Sequence, residues 1–215
     1  GPRLAGSKAE ALARAWAAKN MKSLGFQNVR IETFSVKRWE RISESAKILS
    51  PFPQPLKITA LGGSVGTPRQ GLKGQVIRFS KFTDLVNAPL KGLKGKIVFV
   101  DEPMARTKDG SGYGVAVLKR RQAAVESSKR GAIATLIRSV GTDSHRFPHT
   151  GQTSYEGATK KIPIAALSAP DADQLKRSLS RSKVKLELKI QVRTKGSRTS
   201  GNVIGEIPGQ TKKIV

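Results

Sequence analysis

The chain has 215 residues, of which 37% are hydrophobic and only 5% aromatic, so an aliphatic, Ala-rich core is expected. It contains no Cys, which excludes disulfides, thiol nucleophiles and thiolate-bound metals, and no apolar run approaches the roughly 18 residues of a membrane span. Forty Lys and Arg against fifteen Asp and Glu give a net charge of +25; the excess favours polyanions but forms no basic tail, which predicts weak, non-specific polyanion binding and no membrane partner.

The sequence opens Gly1-Pro2-Arg3 without Met or a signal-like segment, so further chain is expected ahead of it. Ser7-Lys8-Ala9-Glu10 reads as a capping box, and Leu12, Ala13, Trp16, Ala17 and Leu24 follow at helical spacing, predicting a helix from Lys8 to Leu24 that stops at Gly25. Val29 to Val36 alternates as a half-buried strand. A connecting stretch then leads to Pro51, Pro53 and Pro55, which mark a boundary. Beyond it, Leu56–Leu61 and Gly74–Phe79 read as strands, Phe82–Ala88 as a short helix, and Lys96–Asp101 as the most strand-like run of the chain. A helix over Leu118–Arg130, ended by Gly131, joins this strand to the apolar run Ala132–Ile137, giving a strand–helix–strand unit. Ile162–Leu167 reads as a strand that Pro163 pushes towards an edge. Pro170 and two early acids open a helix. Val184 to Val192 alternates strictly with polar residues, and Thr194–Gly201 is expected as a polar loop before Asn202–Gly209. Lys212-Lys213-Ile214-Val215 resembles the beginning of another strand.

The segment from Arg138 to Gly151 holds both histidines and follows a buried strand, a place where folds often set a site. Its other reading is a hydrogen-bonded surface loop. His145 and His149 have a metal-ligand spacing if helical, with Asp143 as a third candidate, but Pro148 opposes a regular helix there. Ser144 is too close in sequence to His145 for a nucleophile–base pair. Asp109-Gly110-Ser111-Gly112-Tyr113-Gly114 lacks the Lys-Ser/Thr ending of a phosphate loop, and reads as a flexible active-site loop or a plain turn. The basic runs Lys119-Arg120-Arg121 and Lys129-Arg130 read as solvated helix faces, with phosphate binding as the alternative.

GPRLAGS before an Ala-rich helix, LKGKIVFVDEP (93–103), RGAIATLIRSVGTDSHRFPHTG (130–151), KIPIAALSAPDADQLKRSL (161–179) and SGNVIGEIPG (200–209) resemble the di-zinc exopeptidases with an inserted protease-associated domain, the family of carboxypeptidase Q and the glutamate carboxypeptidases. The resemblance covers essentially the whole chain. It implies an α/β fold: a protease-associated domain of mixed β-sheet with flanking helices, an N-terminal helix–strand segment, and the C-terminal start of an α/β aminopeptidase fold. The implied boundaries are 1–50, 51–198 and 199–215.

The resemblance also implies that Ile214-Val215 lead to a Gly-Gly-His-x-Asp-Ser segment, so that every zinc ligand and the catalytic glutamate lie beyond Val215. No catalytic or metal residue is therefore assigned, and the truncated chain alone is expected to be inactive. Zinc is implied for the parent enzyme only. The implied partners are a missing C-terminal catalytic domain, small peptide substrates and a homodimer mate, with an extracellular or periplasmic location. Ser111, Tyr113, Asp143, His145, Arg146 and His149 are the candidates for a face turned towards that domain. They converge if the strands at 96–100 and 132–137 run parallel. A basic, non-enzymatic protein that binds RNA or another polyanion is the alternative.

Overall fold

The computed structural model describes residues 3–209; the strand expected from Ile214 lies outside them. Helix α1 (Lys8–Ser23) starts where the Ser7 hydroxyl accepts the Glu10 amide at 3.1 Å. Glu10 accepts from Gly6 rather than Ser7, whose N–H goes to the Leu4 carbonyl, so the reciprocal cap is displaced by one residue. The remaining elements are β1 (Gln27–Lys37), β2 (Glu40–Ser50), β3 (Gln54–Leu56), β4 (Ile58–Ala60), β5 (Leu72–Phe79), α2 (Phe82–Asn87), β6 (Ile97–Val100), α3 (Ser111–Lys129), β7 (Ala134–Arg138), β8 (Ile164–Leu167), α4 (Ala169–Arg181), β9 (Lys185–Arg193) and β10 (Ser197–Glu206).

Several expectations are corrected. The connecting stretch before Pro51 is strand β2, whose Ser43-Glu44-Ser45 centre hides the pattern and which buries only Ala46 and Ile48. Pro51 and Pro53 turn a hairpin, since β3 pairs back antiparallel on β2. The run Leu56–Leu61 is two strands parted by Lys57. Strand β8 is paired on both sides, parallel to β7 and antiparallel to β4, and Pro163 escapes the ladder by preceding it. Most of the polar stretch 194–201, from Ser197 onward, belongs to β10.

The chain divides into two compact units, one formed by the residues up to Glu40 with those from Arg193, the other by Arg41–Val192. In the smaller, β1 pairs antiparallel with β10, and α1 packs beside both. Its apolar side chains are poorly covered: no residue of α1 or β1 is buried, against the half-buried strand expected for β1.

In the larger unit, eight strands follow the order β3-β2-β9-β5-β6-β7-β8-β4. Strands β3 and β4 are consecutive in the chain and yet occupy opposite ends of that order, so the sheet curls until its edges meet at Lys57. The four central strands β5 to β8 run parallel. Every residue of β6, β7 and β8 is buried, as a sheet covered on both faces requires. Val98, Val100, Ile137, Ile164 and Ala166 form one core with Phe82 and Leu85 of α2 and with Ala123 and Ala124 of α3. Phe99, Leu136 and Leu167 alternate with them and are fully buried on the other face.

Candidate functional site

Val100 lies beside Ile137, and Ile137 beside Ala166, in parallel register, so the chain leaves β6, β7 and β8 on one side of the sheet. Three segments meet there: Asp101–Gly110 leading to α3, the loop after Arg138, and the start of α4 at its N-cap Ser168. Asp101 is buried and accepts from Arg78 Nε at 2.6 Å and Arg138 Nε at 2.8 Å. Arg138 also reaches Asp173 of α4 at 2.6 Å. This chain of charges ties β5, β6, β7 and α4 together beneath the loops.

Helix α3 begins at Ser111, so the glycine-rich stretch expected as a loop is partly its first turn. Close approach explains Gly112: a Cβ there would stand 2.1 Å from the Ala105 carbonyl oxygen. The same helix brings Lys119 and Arg120 inward. Lys119 is fully buried, with Nζ donating to the Glu102 carbonyl at 2.6 Å. Burial pushes its pKa down to about 8; Arg138 and Arg120 add repulsion, while Glu102 and Asp101 oppose the shift. Arg120 donates to the Tyr113 hydroxyl at 2.9 Å and to His149 Nδ1 at 3.0 Å. A guanidinium has no acceptor, so Nδ1 must accept, and the ring is neutral with its proton on Nε2. Burial and then the Arg120 charge hold His149 below its usual pKa, against a smaller pull from Asp143. Gly151 makes room for this arrangement, since a Cβ there would lie 2.3 Å from Arg120 Cδ.

The loop is pinned from below. The Ser139 hydroxyl donates to the Leu167 carbonyl at 2.6 Å and accepts the His149 amide at 2.8 Å. Arg146 forks onto the buried Asp171 at 2.7 and 3.1 Å. Between these anchors lies a depression of about 170 Å³ lined by Ser139, Asp143, His145, Phe147, His149 and Ala169. His145 Nε2 stands 3.5 Å from the Asp143 carboxylate, and its ring meets Phe147 edge-on at 5.6 Å.

Of the six candidates, then, Asp143, His145 and His149 share one depression, and Tyr113 joins His149 through Arg120. Arg146 is committed to Asp171. Ser111 turns to Thr107 and Asp109 near the start of α3 and meets none of the others. Arg120 is the residue that sequence reasoning missed. The expectation of solvated basic helix faces is corrected at Lys119, Arg120 and Arg130, all buried, the last of them donating to Val86, Ala88 and Glu126. The signal was present: Ala116, Lys119, Arg120, Ala123, Ala124 and Ser127 fall at the spacing of one inward helix stripe.

These groups do not fit a zinc ion. Among the described residues no three of His, Asp or Glu stand close enough to hold a metal. His149 turns one ring nitrogen to a guanidinium, whose charge opposes a cation beside it. No helix among the described residues is long and apolar enough to cross a membrane.

No family model matches the chain. It is 40% identical to carboxypeptidase Q of Xenopus laevis over 210 residues, which are 97% of this chain and 43% of that protein. Carboxypeptidase Q of Homo sapiens is 36% identical over the same share of both. Among solved structures, a peptidase M28 precursor from Shewanella amazonensis superimposes with a TM-score of 0.94 at 46% identity, covering 99% of this chain and 48% of that one. A zinc aminopeptidase from Bacillus subtilis shares the fold, with a TM-score of 0.63 at 22% identity over 99% of this chain and 45% of that one. The chain thus spans about half the length of the relatives it matches. It belongs to the peptidase family of carboxypeptidase Q and the M28 enzymes, and corresponds to the N-terminal part of those proteins.

Proposed function

We propose that this chain is the non-catalytic part of a secreted, zinc-dependent exopeptidase that hydrolyses small peptides, and that it contributes domain packing and substrate access. One observation carries the reading. In the smaller unit Ser200 is the single residue buried among those described, while Leu12, Trp16, Leu24 and Phe34 are exposed. A helix on a two-stranded sheet with so little covered surface does not sustain itself in water. Burying these side chains is worth about 1.5–3 kcal/mol each, enough to fix the unit against further peptidase chain. The depression at Asp143, His145 and His149 supplies the access surface, facing that catalytic part. Zinc belongs to ligands outside the described residues.

Replacing the matching segment of the Shewanella peptidase with this chain tests the proposal. The chimera is expected to retain dipeptide hydrolysis, and Trp16→Glu to weaken assembly without melting the larger unit. A chimera that folds and melts normally but cleaves no dipeptide would refute the reading. Within an active chimera, His145→Ala is expected to lower turnover beyond any loss in thermal stability; unchanged kinetics with a lowered melting temperature would make the loop a structural brace.

A further inference from the structure

We propose that the groove between the β2–β3 hairpin turn and the C-terminal half of α4 binds a small organic anion, a carboxylate or phosphate carried on a flat apolar group. The groove has a volume of about 310 Å³ and is lined by Phe52 and Gln54 of the hairpin and by Gln174, Arg177, Ser178 and Arg181 of α4. Arg177 and Arg181 stand four apart and so share one helix face, where like charges repel. Nothing in the groove relieves them. No carboxylate lines it, and among the described residues neither guanidinium has an ion-pair or hydrogen-bond partner.

Other arginines, such as Arg106 and Arg120, also lack a carboxylate but bond neutral groups instead. Arg78, Arg130, Arg138 and Arg146 each grip a carboxylate. The helix dipole accounts for a cation in the last turn, which is Arg181, but Arg177 lies a turn earlier. Two planar donor forks facing a concavity match the oxygens of a carboxylate or phosphate. The amides of Gln54 and Gln174 add neutral donors beside them. Phe52 is 69% exposed at the mouth, which supplies a flat surface for an aromatic or acyl body. The volume lies at the lower end of small-molecule sites, so the ligand is a compact anion rather than a polymer.

Calorimetry on the full chain with phenyl phosphate, phenylacetate and inorganic phosphate tests the site. At least one aromatic anion is expected to bind about tenfold more tightly than inorganic phosphate. Arg177→Gln with Arg181→Gln should abolish that binding, and Phe52→Ala should remove the advantage over inorganic phosphate. All three positions are exposed, and an unchanged melting temperature confirms that the variants fold. Preference for phenyl phosphate or for phenylacetate separates phosphate esters from carboxylates as the natural class. Undiminished binding by the double arginine variant, or no preference for an aromatic anion, overturns the proposal. So does a short RNA that outcompetes both aromatic probes.

Discussion

Lys119 offers a direct test of how the larger unit is held together. A fully buried ammonium whose pKa falls from 10.5 to about 8 costs the folded state about 3 kcal/mol at pH 7. The sign follows from linkage: between about pH 8 and 10.5 the unfolded chain holds the proton more tightly, so stability rises with pH across that window. Lys119→Met keeps the length of the side chain and removes the charge. It also removes the 2.6 Å bond to the Glu102 carbonyl, a loss of about 1.5–3 kcal/mol for a charged donor. The variant should therefore match or exceed wild-type stability at pH 7 by about 0–2 kcal/mol. The difference between the two proteins is the cleaner quantity, because every other titrating group is common to both. It should shift by about 2 kcal/mol in favour of wild type between pH 7 and pH 10, as the wild-type ammonium loses its proton. Urea unfolding followed by circular dichroism, with the slope constrained to be equal, measures it. A difference that stays constant from pH 7 to 10 refutes the buried-charge argument.

Gly151→Ala should cost about 1–3 kcal/mol in a thermal melt, because Arg120 must release Tyr113 or His149 to admit the methyl group; Gly141→Ala, which meets nothing within 4 Å, is the neutral control. His149 should titrate below 6.5 in an NMR pH series and move upward in Arg120→Gln, and stability should fall as pH drops through 6.5, where the unfolded chain takes the proton first. Zinc titration of the chain should show no stoichiometric site, and a tight site abolished by His145→Ala would contradict the geometry at His149. Nucleic-acid binding should be weak, indifferent to sequence and lost as salt rises; nanomolar selective binding at physiological salt would favour an RNA-binding role.

Periodicity made the central sheet legible. Strands β6, β7 and β9 and helices α1 and α4 were readable because their neighbours in sequence are also their determinants: apolar runs, alternation, the cap at Ser7, and the early proline and acids of α4. Strand β2 was not, because its order comes from β3 and β9 on either side rather than from its own alternation. The proline cluster misled for a related reason. Proline signals a turn, and whether a turn ends a domain or folds a hairpin back is decided by a partner strand that local sequence does not name. At the site, the loop and its histidines were visible as a dense polar segment. Its central support was hidden, because Arg120 looks like any surface cation until the helix stripe it shares with Ala116, Ala123 and Ala124 is followed inward.

The charge excess takes a different meaning once its pairing is traced. With 15 acids against 40 Lys and Arg, the chain cannot pair its cations singly, and it shares carboxylates instead. Asp101 serves Arg78 and Arg138, while Glu40 holds Arg38, Arg193 and Arg198 on one oxygen at 2.7, 3.9 and 3.1 Å. Arg120 and Lys119 have no carboxylate of their own and rest on a phenol, an imidazole and a carbonyl. Each shared carboxylate fixes more than one element, so losing Asp101 or Glu40 releases two or three guanidiniums together. At Asp101, whose carboxylate is buried, removing the acid is worth about 3–5 kcal/mol, whereas the partly exposed cluster at Glu40 contributes far less. The +25 charge is thus compatible with a fold braced by few acids, and it does not by itself call for a nucleic acid. It does make the surface receptive to anions wherever cations converge without a carboxylate, as Arg177 and Arg181 do.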